Sequence, residues 1–256
     1  MTEDRLARIR LLLGDEGVAR LADSFVVVVG LGAVGSYAVE GLARAGVGRL
    51  RLVDFDVIKA SNINRQLYAL DSTLGKSKAS VAAARVRDIS PGCRIEPLEL
   101  FADSKSFDAI LEGGPDLVID AIDSIGPKAY LIAEALKRKL RIISSMGAAL
   151  RTDPGTVRVG PLRGTKGCPL AARLKYWLRK LDASLDFPCV YSTQPVGEFK
   201  KARQAPYFGG ATENLEEEEV YGPGRQKTAL GSLPTITGIF GLTIANTAIR
   251  TLTSGE

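Results

Sequence analysis

Phe25-Val26-Val27-Val28-Val29 runs straight into Gly30-Leu31-Gly32-Ala33-Val34-Gly35, and Ser36 to Ala45 follows as a helical segment. An unbroken β-branched run without polar alternation reads as a strand covered on both faces. A Gly-x-Gly-x-x-Gly turn gains meaning only between such a strand and a helix, which is where this one stands. Outward from this unit, Leu50 to Val53 is the next strand and ends in Asp54-Phe55-Asp56. Two short helices are expected before it, over 4–13 and 15–22. After it come helices around 76–89 and 127–139 and strands at 94–98, 116–120 and 141–145, with a further helix before the strand at 116. This β-α alternation with short joints predicts an α/β fold, a mostly parallel sheet with helices on both faces. Past Met146 the pattern changes: strands at 156–159 and 189–192 around a helix at 169–181 predict a smaller, mixed C-terminal element. Residues 195–225 carry no sustained periodicity and read as a long mobile loop, and a last helix runs from Thr235.

Composition narrows the chemistry. The chain has 256 residues and no histidine. That excludes Ser-His-Asp and Cys-His catalysis, imidazole bases and every histidine-containing zinc site. Cys93, Cys168 and Cys189 form no Cys-x-x-Cys pair, which excludes a four-thiolate zinc site. Three widely spaced thiols fit a reduced, cytoplasmic protein. Lys+Arg 34 against Asp+Glu 29 is a mild basic excess that permits a polyanionic partner without demanding one. The apolar stretch 233–252 contains Pro234, Gly238, Gly241 and Asn246 and fits a buried helix better than a membrane span. The amino terminus has no signal-peptide pattern, so no membrane association is expected.

The glycine turn, with Gly30, Gly32 and Gly35, lets phosphate oxygens reach backbone N–H groups at a helix amino terminus. Asp54, ending the second strand, can accept both ribose hydroxyl hydrogens, which makes the unit Rossmann-like. At this point NAD and ATP are equally compatible. Arg65, in Asn64-Arg65-Gln66, and Lys78 add two cations, which suits a triphosphate. Asp120 and Asp123 end a strand on the same sheet edge, where a carboxylate can hold Mg²⁺ against phosphates. The plainer role for Asp123 is to cap the following helix.

Together these pieces resemble the adenylating domain of the ubiquitin-activating-enzyme superfamily, also called the ThiF/MoeB/HesA group. The matching residues are Gly30 to Gly35, Asp54-Phe55-Asp56, Ser61-Asn62-Ile63-Asn64-Arg65-Gln66, Gly75-Lys76-Ser77-Lys78 and Asp120-Ala121-Ile122-Asp123. The resemblance implies that Asp54 binds ribose, that Asn62, Arg65 and Lys78 contact phosphates, and that Asp123 holds magnesium. Asp56 and Gln66 join the nucleotide-binding set on the same ground. It also implies a homodimer in which an amino-terminal arginine, best matched by Arg8, completes the partner's site. Arg8, Arg65, Lys78 and Asp123 are then the catalytic set, with ATP and Mg²⁺ as cofactors. The whole of 1–256 is expected to be one such domain, with a nucleotide-binding core at 1–150 and a substrate-side element at 151–256.

Within that superfamily, Ser144-Ser145-Met146-Gly147-Ala148, Asp153-Pro154, Cys168-Pro169-Leu170-Ala171 and Gly231-Ser232-Leu233-Pro234 most resemble the branch that dehydrates threonylcarbamoyladenosine beside the anticodon of tRNA. The resemblance implies adenylation of the threonyl carboxylate and ring closure by the neighbouring carbamoyl group. The modified tRNA is the expected partner, and sulfur-transfer proteins are further candidates. Independently, Arg173, Lys175, Arg179 and Lys180 lie in a segment without acidic residues that could grip phosphates. Trp177, in an apolar stripe with Leu170, Leu174, Leu178 and Leu181, fits the core better than a stacking platform. Cys189 or Cys168 could carry a covalent intermediate, although buried or inert thiols explain them more simply. Adenylation of the terminal glycine of a ubiquitin-like sulfur carrier is the nearest alternative. An NAD-dependent oxidoreductase leaves Arg65, Lys78 and Asp123 without roles.

Overall fold

A computed structural model describes residues 4–196 and 230–254. Most of the segment expected to be a mobile loop, 195–225, lies outside the described residues. The valine run forms β1 (Phe25–Val29), with every residue buried. The first helix, α1 (Ala7–Asp23), is two helical pieces joined at Gly14, whose φ of 71° and ψ of 175° break the helix. The turn after β1 feeds α2 (Gly35–Ala45), and β2 (Arg49–Val53) follows. Next come α3 (Lys78–Ile89), β3 (Arg94–Leu98), α4 (Phe107–Leu111), β4 (Leu117–Asp120), α5 (Ile125–Lys137) and β5 (Ile142–Ser145). The chain closes with β6 (Val157–Pro161), α6 (Pro169–Lys180), β7 (Pro188–Ser192) and α7 (Pro234–Thr253).

Two helix starts differ from expectation for local reasons. The third helix begins at Lys78 rather than Lys76 because the Ser77 hydroxyl accepts the Ser80 N–H at 3.3 Å and caps it. The fifth begins at Ile125, two residues before Pro127. A proline fits in a first turn, whose N–H groups have no partner within the helix.

The strands form one sheet in the order β3-β2-β1-β4-β5-β7-β6. All neighbours are parallel except β6 and β7, so the two late strands are the mixed end of the same sheet. Alternate β1 residues feed two cores. Val26 and Val28 pack with α2, α3 and α7, while Val27 and Val29 pack with α4, α5 and α6. Helix α7 lies close along α2: a Cβ at Gly241 would sit 2.3 Å from the Val34 carbonyl oxygen, and one at Gly41 would sit 2.7 Å from the Ala245 Cβ. This crossing explains an apolar, glycine-bearing helix without a membrane, and no described helix is long and apolar enough to cross one.

Candidate active site

Register brings the site together. Val29 pairs with Val53 on one side and with Asp120 on the other, so β1, β2 and β4 all end at one level. Between β1 and β4 the strand order reverses, which opens a crevice at their carboxyl ends. The segments leaving there are the glycine turn, Asp54 to Asp56, and Ala121 to Asp123.

The turn is packed to the limit glycine allows. Gly30 has a φ of +92°, and a Cβ on it would meet the Ala121 carbonyl oxygen at 2.8 Å. A Cβ on Gly35 would lie 1.8 Å from the Gly30 oxygen. Removing these side chains draws the turn against the β4 loop and leaves a backbone cradle at the amino terminus of α2. Asp54 locks it: its Oδ2 accepts the Leu31 N–H at 2.7 Å and its Oδ1 the Asp56 N–H at 2.9 Å. Burial raises the Asp54 carboxyl above its ordinary pKa, opposed by nearby Lys78 and these two amides.

The cations arrive from beyond β2. Lys78 Nζ, nearly buried at the first turn of α3, pairs with Asp56 Oδ2 at 2.8 Å. The 60s segment is latched to α2, with the Tyr68 hydroxyl donating to the Ser36 carbonyl at 3.0 Å and the Leu67 N–H to Ser36 Oγ at 3.2 Å. This brings buried Gln66 against Gly32, whose added Cβ would meet Gln66 Nε2 at 3.6 Å. Asn62, also buried, accepts the Lys59 N–H through Oδ1 at 3.0 Å. The Arg65 guanidinium donates to the Ser61 carbonyl and to Asn64 Oδ1, both at 2.9 Å.

Asp123 is exposed on the loop between β4 and α5. The N-cap position belongs to Ser124, so Asp123 stands one residue outside the helix. Among the described residues no cluster of three or more acidic or thiol side chains could hold a metal. A cation here would need one carboxylate together with phosphate oxygens and water, the arrangement magnesium prefers.

The remaining candidates sit elsewhere. Arg8 is exposed on α1, at the sheet's amino-terminal edge, where Leu6 covers Gly46 and Arg5 reaches the Ile89 carbonyl at the end of α3. A five-residue strand, about 17 Å, separates that edge from the crevice. Cys168 stands at the N-cap position of α6 beside Gly147, just past β5, and is buried. Fully buried Arg151 adjoins it and donates to the Gly167 carbonyl at 3.0 Å. Cys189 is fully buried and donates to the Gly160 carbonyl at 3.3 Å; burial pushes its thiol up to about 12, which keeps it protonated. On α6, Arg173, Arg179 and Lys180 are exposed, whereas Lys175 Nζ is tied to the carbonyls of Thr165 at 2.7 Å and Arg163 at 3.2 Å. Trp177 packs partly into the second core, and Tyr176, 54% exposed, is the aromatic ring this face presents.

Lys128 is the residue the sequence reading missed. Its ammonium is fully buried 2.6 Å from Asp120 Oδ2, directly behind the β4 loop. The available signal was a lysine on the apolar stripe of its helix, one and two turns before Leu131, Ile132 and Ala135.

The model of the ThiF family matches residues 4–256. The tRNA threonylcarbamoyladenosine dehydratase of Bacillus subtilis is 43% identical over 176 residues, 69% of each chain. The protein of the same name from Escherichia coli is 38% identical over 192 residues, 72% of each. The crystal structure of the Escherichia coli tRNA N6-threonylcarbamoyladenosine dehydratase in complex with ATP superposes with a TM-score of 0.82 at 30% identity. That match covers 99% of this chain and 97% of the other.

Proposed function

The chain belongs to the ThiF family, and we propose that it is a cytoplasmic, ATP-dependent enzyme that dehydrates threonylcarbamoyladenosine in tRNA. The observation that carries the adenylation reading is the crevice at the strand-order reversal. There the glycine turn, the segment 54–56 and the loop 121–123 leave three adjacent strands at one level, and Lys78 is tied to Asp56. The dehydratases of known name, similar along most of the chain, supply the choice of substrate.

A carboxylate is a poor electrophile because its leaving group resembles hydroxide. In this reading the threonyl carboxylate oxygen attacks the α-phosphorus of ATP, the bond to pyrophosphate breaks, and an acyl adenylate forms. The carbamoyl group of the same nucleoside then attacks the acyl carbon, and AMP departs with the former carboxylate oxygen. The nucleophile is already held close, so no enzyme thiol is required. Asp54 orients the ribose through its two hydroxyls, and the backbone amides after Gly30 take phosphate oxygens. Asn62, Gln66 and Arg65 line the phosphate side, and Asp56 positions Lys78, which exchanges this carboxylate for a phosphate partner as nucleotide binds. Mg²⁺ at Asp123 would neutralise charge gathering on the departing pyrophosphate.

Arg8 acts in this reading from a second copy of the chain, because its own crevice lies across the sheet. Leu11 and Leu12, on the same helix, are 89% and 81% exposed, an apolar surface suited to a homodimer contact. Arg173, Arg179, Lys180 and Tyr176 form the tRNA-facing surface, with 151–256 as the substrate-side portion of a single domain. All three thiols are buried, so a sulfur-transfer protein would act here by docking rather than by exchanging sulfur with a thiol of this chain.

The test supplies purified protein with ATP, Mg²⁺ and threonylcarbamoyl-modified tRNA and examines the digested nucleosides by mass spectrometry. Loss of one water from the modified adenosine is expected, and Asp123→Ala should abolish it. An unchanged nucleoside together with adenylation of a carrier protein would select the sulfur-carrier alternative instead.

A further inference from the structure

Asp120 and Lys128 are both fully buried, yet neither faces the crevice. Register explains the first: Asp120 pairs with Ser144 across β4 and β5, and the Ser144 hydroxyl donates to Asp120 Oδ2 at 2.5 Å. The Lys128 ammonium meets the same oxygen at 2.6 Å. Both groups then reach one residue. Asp120 Oδ1 accepts the Ile122 N–H at 3.1 Å, and Lys128 Nζ donates to the Ile122 carbonyl at 2.9 Å. Ile122 is thereby gripped at both of its peptide groups, and its carbonyl belongs to the peptide bond that begins Asp123.

Burying two charges is costly even when they pair, and an apolar pair of similar volume often serves stability as well. Stability alone therefore does not account for this pair. We propose that Lys128 is a positioning residue: with Asp120 it fixes the Ile122–Asp123 peptide plane and so aims the Asp123 carboxylate at the metal–phosphate end of the nucleotide. The same clamp keeps Ala121 and Ile122 against Gly30, where an added Cβ would lie 2.8 Å from the Ala121 oxygen and 3.2 Å from the Ile122 nitrogen. Glycine turn and acidic loop are thus set as one unit. The proposal rests on the adenylation reading, since it presumes a nucleotide in the crevice.

The test compares binding of ATP with Mn²⁺ and of ATP in chelator, by calorimetry and Mn²⁺ spin resonance, in wild type, Lys128→Met and Asp120→Asn/Lys128→Met. Removing groups that orient a metal ligand costs about 10- to 100-fold in metal affinity. A loss in that range is expected for Mn²⁺-ATP, with less than about threefold for metal-free ATP. Lys128→Met leaves Asp120 uncompensated and is prone to misfold, so the neutral double variant carries the comparison. A folded double variant that binds Mn²⁺-ATP as tightly as wild type overturns the clamp. A wild type that binds no Mn²⁺-ATP overturns the adenylation reading instead. Hydrogen exchange in the wild type judges the clamp without any variant: the Ile122 amide should be strongly protected, and exchange at the rate of an open loop amide refutes it.

Discussion

Asp54 holds the glycine turn, and in the proposed function the same carboxylate would also hold a ligand. Burial raises its pKa, and the Leu31 and Asp56 amides with Lys78 only partly offset that. The sign follows from linkage. With the folded value above the unfolded one, its stability contribution is complete below the ordinary aspartate pKa and declines as pH rises through the raised value. The proposed ribose contact needs the opposite form, since only the carboxylate accepts two hydroxyl hydrogens. The acid limb of ATP affinity should therefore begin above the range of an unperturbed aspartate, about 3.9, and titration of ATP binding against pH measures it. Asp54→Asn should lose the limb along with affinity. Hydrogen bonds to a charged group are worth about 1.5–3 kcal/mol, so the cost is about 10- to 150-fold. An Asp54→Asn protein with wild-type affinity would remove the ribose assignment. The place of Asp54 at the end of the second strand, 24 residues after Gly30, was legible in the sequence. Its grip on the glycine turn was not, because a hydrogen bond to the Leu31 amide depends on how two strands end in space.

At the scale of elements, α6 separates cations that look equivalent in sequence. Helical geometry turns Arg173, Tyr176, Arg179 and Lys180 outward, while Lys175 bends back to hold the turn at 162–165. The Lys180 ammonium lies 5.0 Å from the Tyr176 ring centre and 5.6 Å from that of Trp177, so part of this face is already ordered. The amino terminus of the helix abuts Gly147 beyond β5, and Arg179 stands about 16 Å further along the axis. That reach suits contacts to an RNA backbone away from the reacting nucleoside. Charge reversal at Arg173 and Arg179 should weaken tRNA binding and lower the slope of log affinity against log salt by about 1–2. ATP affinity should stay unchanged. Lys175→Met should instead lower thermal stability with little effect on that slope. Filter binding across a salt series reads the first outcome and calorimetry the second; equal slopes for the reversed and native proteins would remove α6 from the RNA surface.

The whole molecule sets the question of how many chains make one site. Arg8 and Asp123 lie at opposite edges of the same sheet, so a site that uses both draws them from different copies. Arg8→Ala and Asp123→Ala should each be inactive alone. Mixed and allowed to exchange subunits, they should regain roughly a quarter of wild-type turnover, because each mixed dimer holds one intact site and one doubly damaged one. Turnover of modified tRNA before and after mixing measures it. No recovery in exchanged dimers would place both residues in the same chain's site or remove Arg8 from it.

The strands, the helices and their order could be read from local pattern, because an uninterrupted valine run, a glycine turn and alternating amphipathic segments obey constraints acting over a few residues. The same holds for where Gly30, Asp54 and Asp123 stand, just past the ends of strands, and for Lys78 at the start of a helix. Long-range packing decided the rest. It joined the two late strands to the main sheet, sent Arg8 to the far edge, sealed Cys189 in the core and turned Lys175 inward. It also paired Lys128 with Asp120 behind the acidic loop. Partners eight residues apart on a strand and the following helix meet only when β4, β5 and α5 pack together, and burial then gives that contact its strength by excluding the water that would screen it.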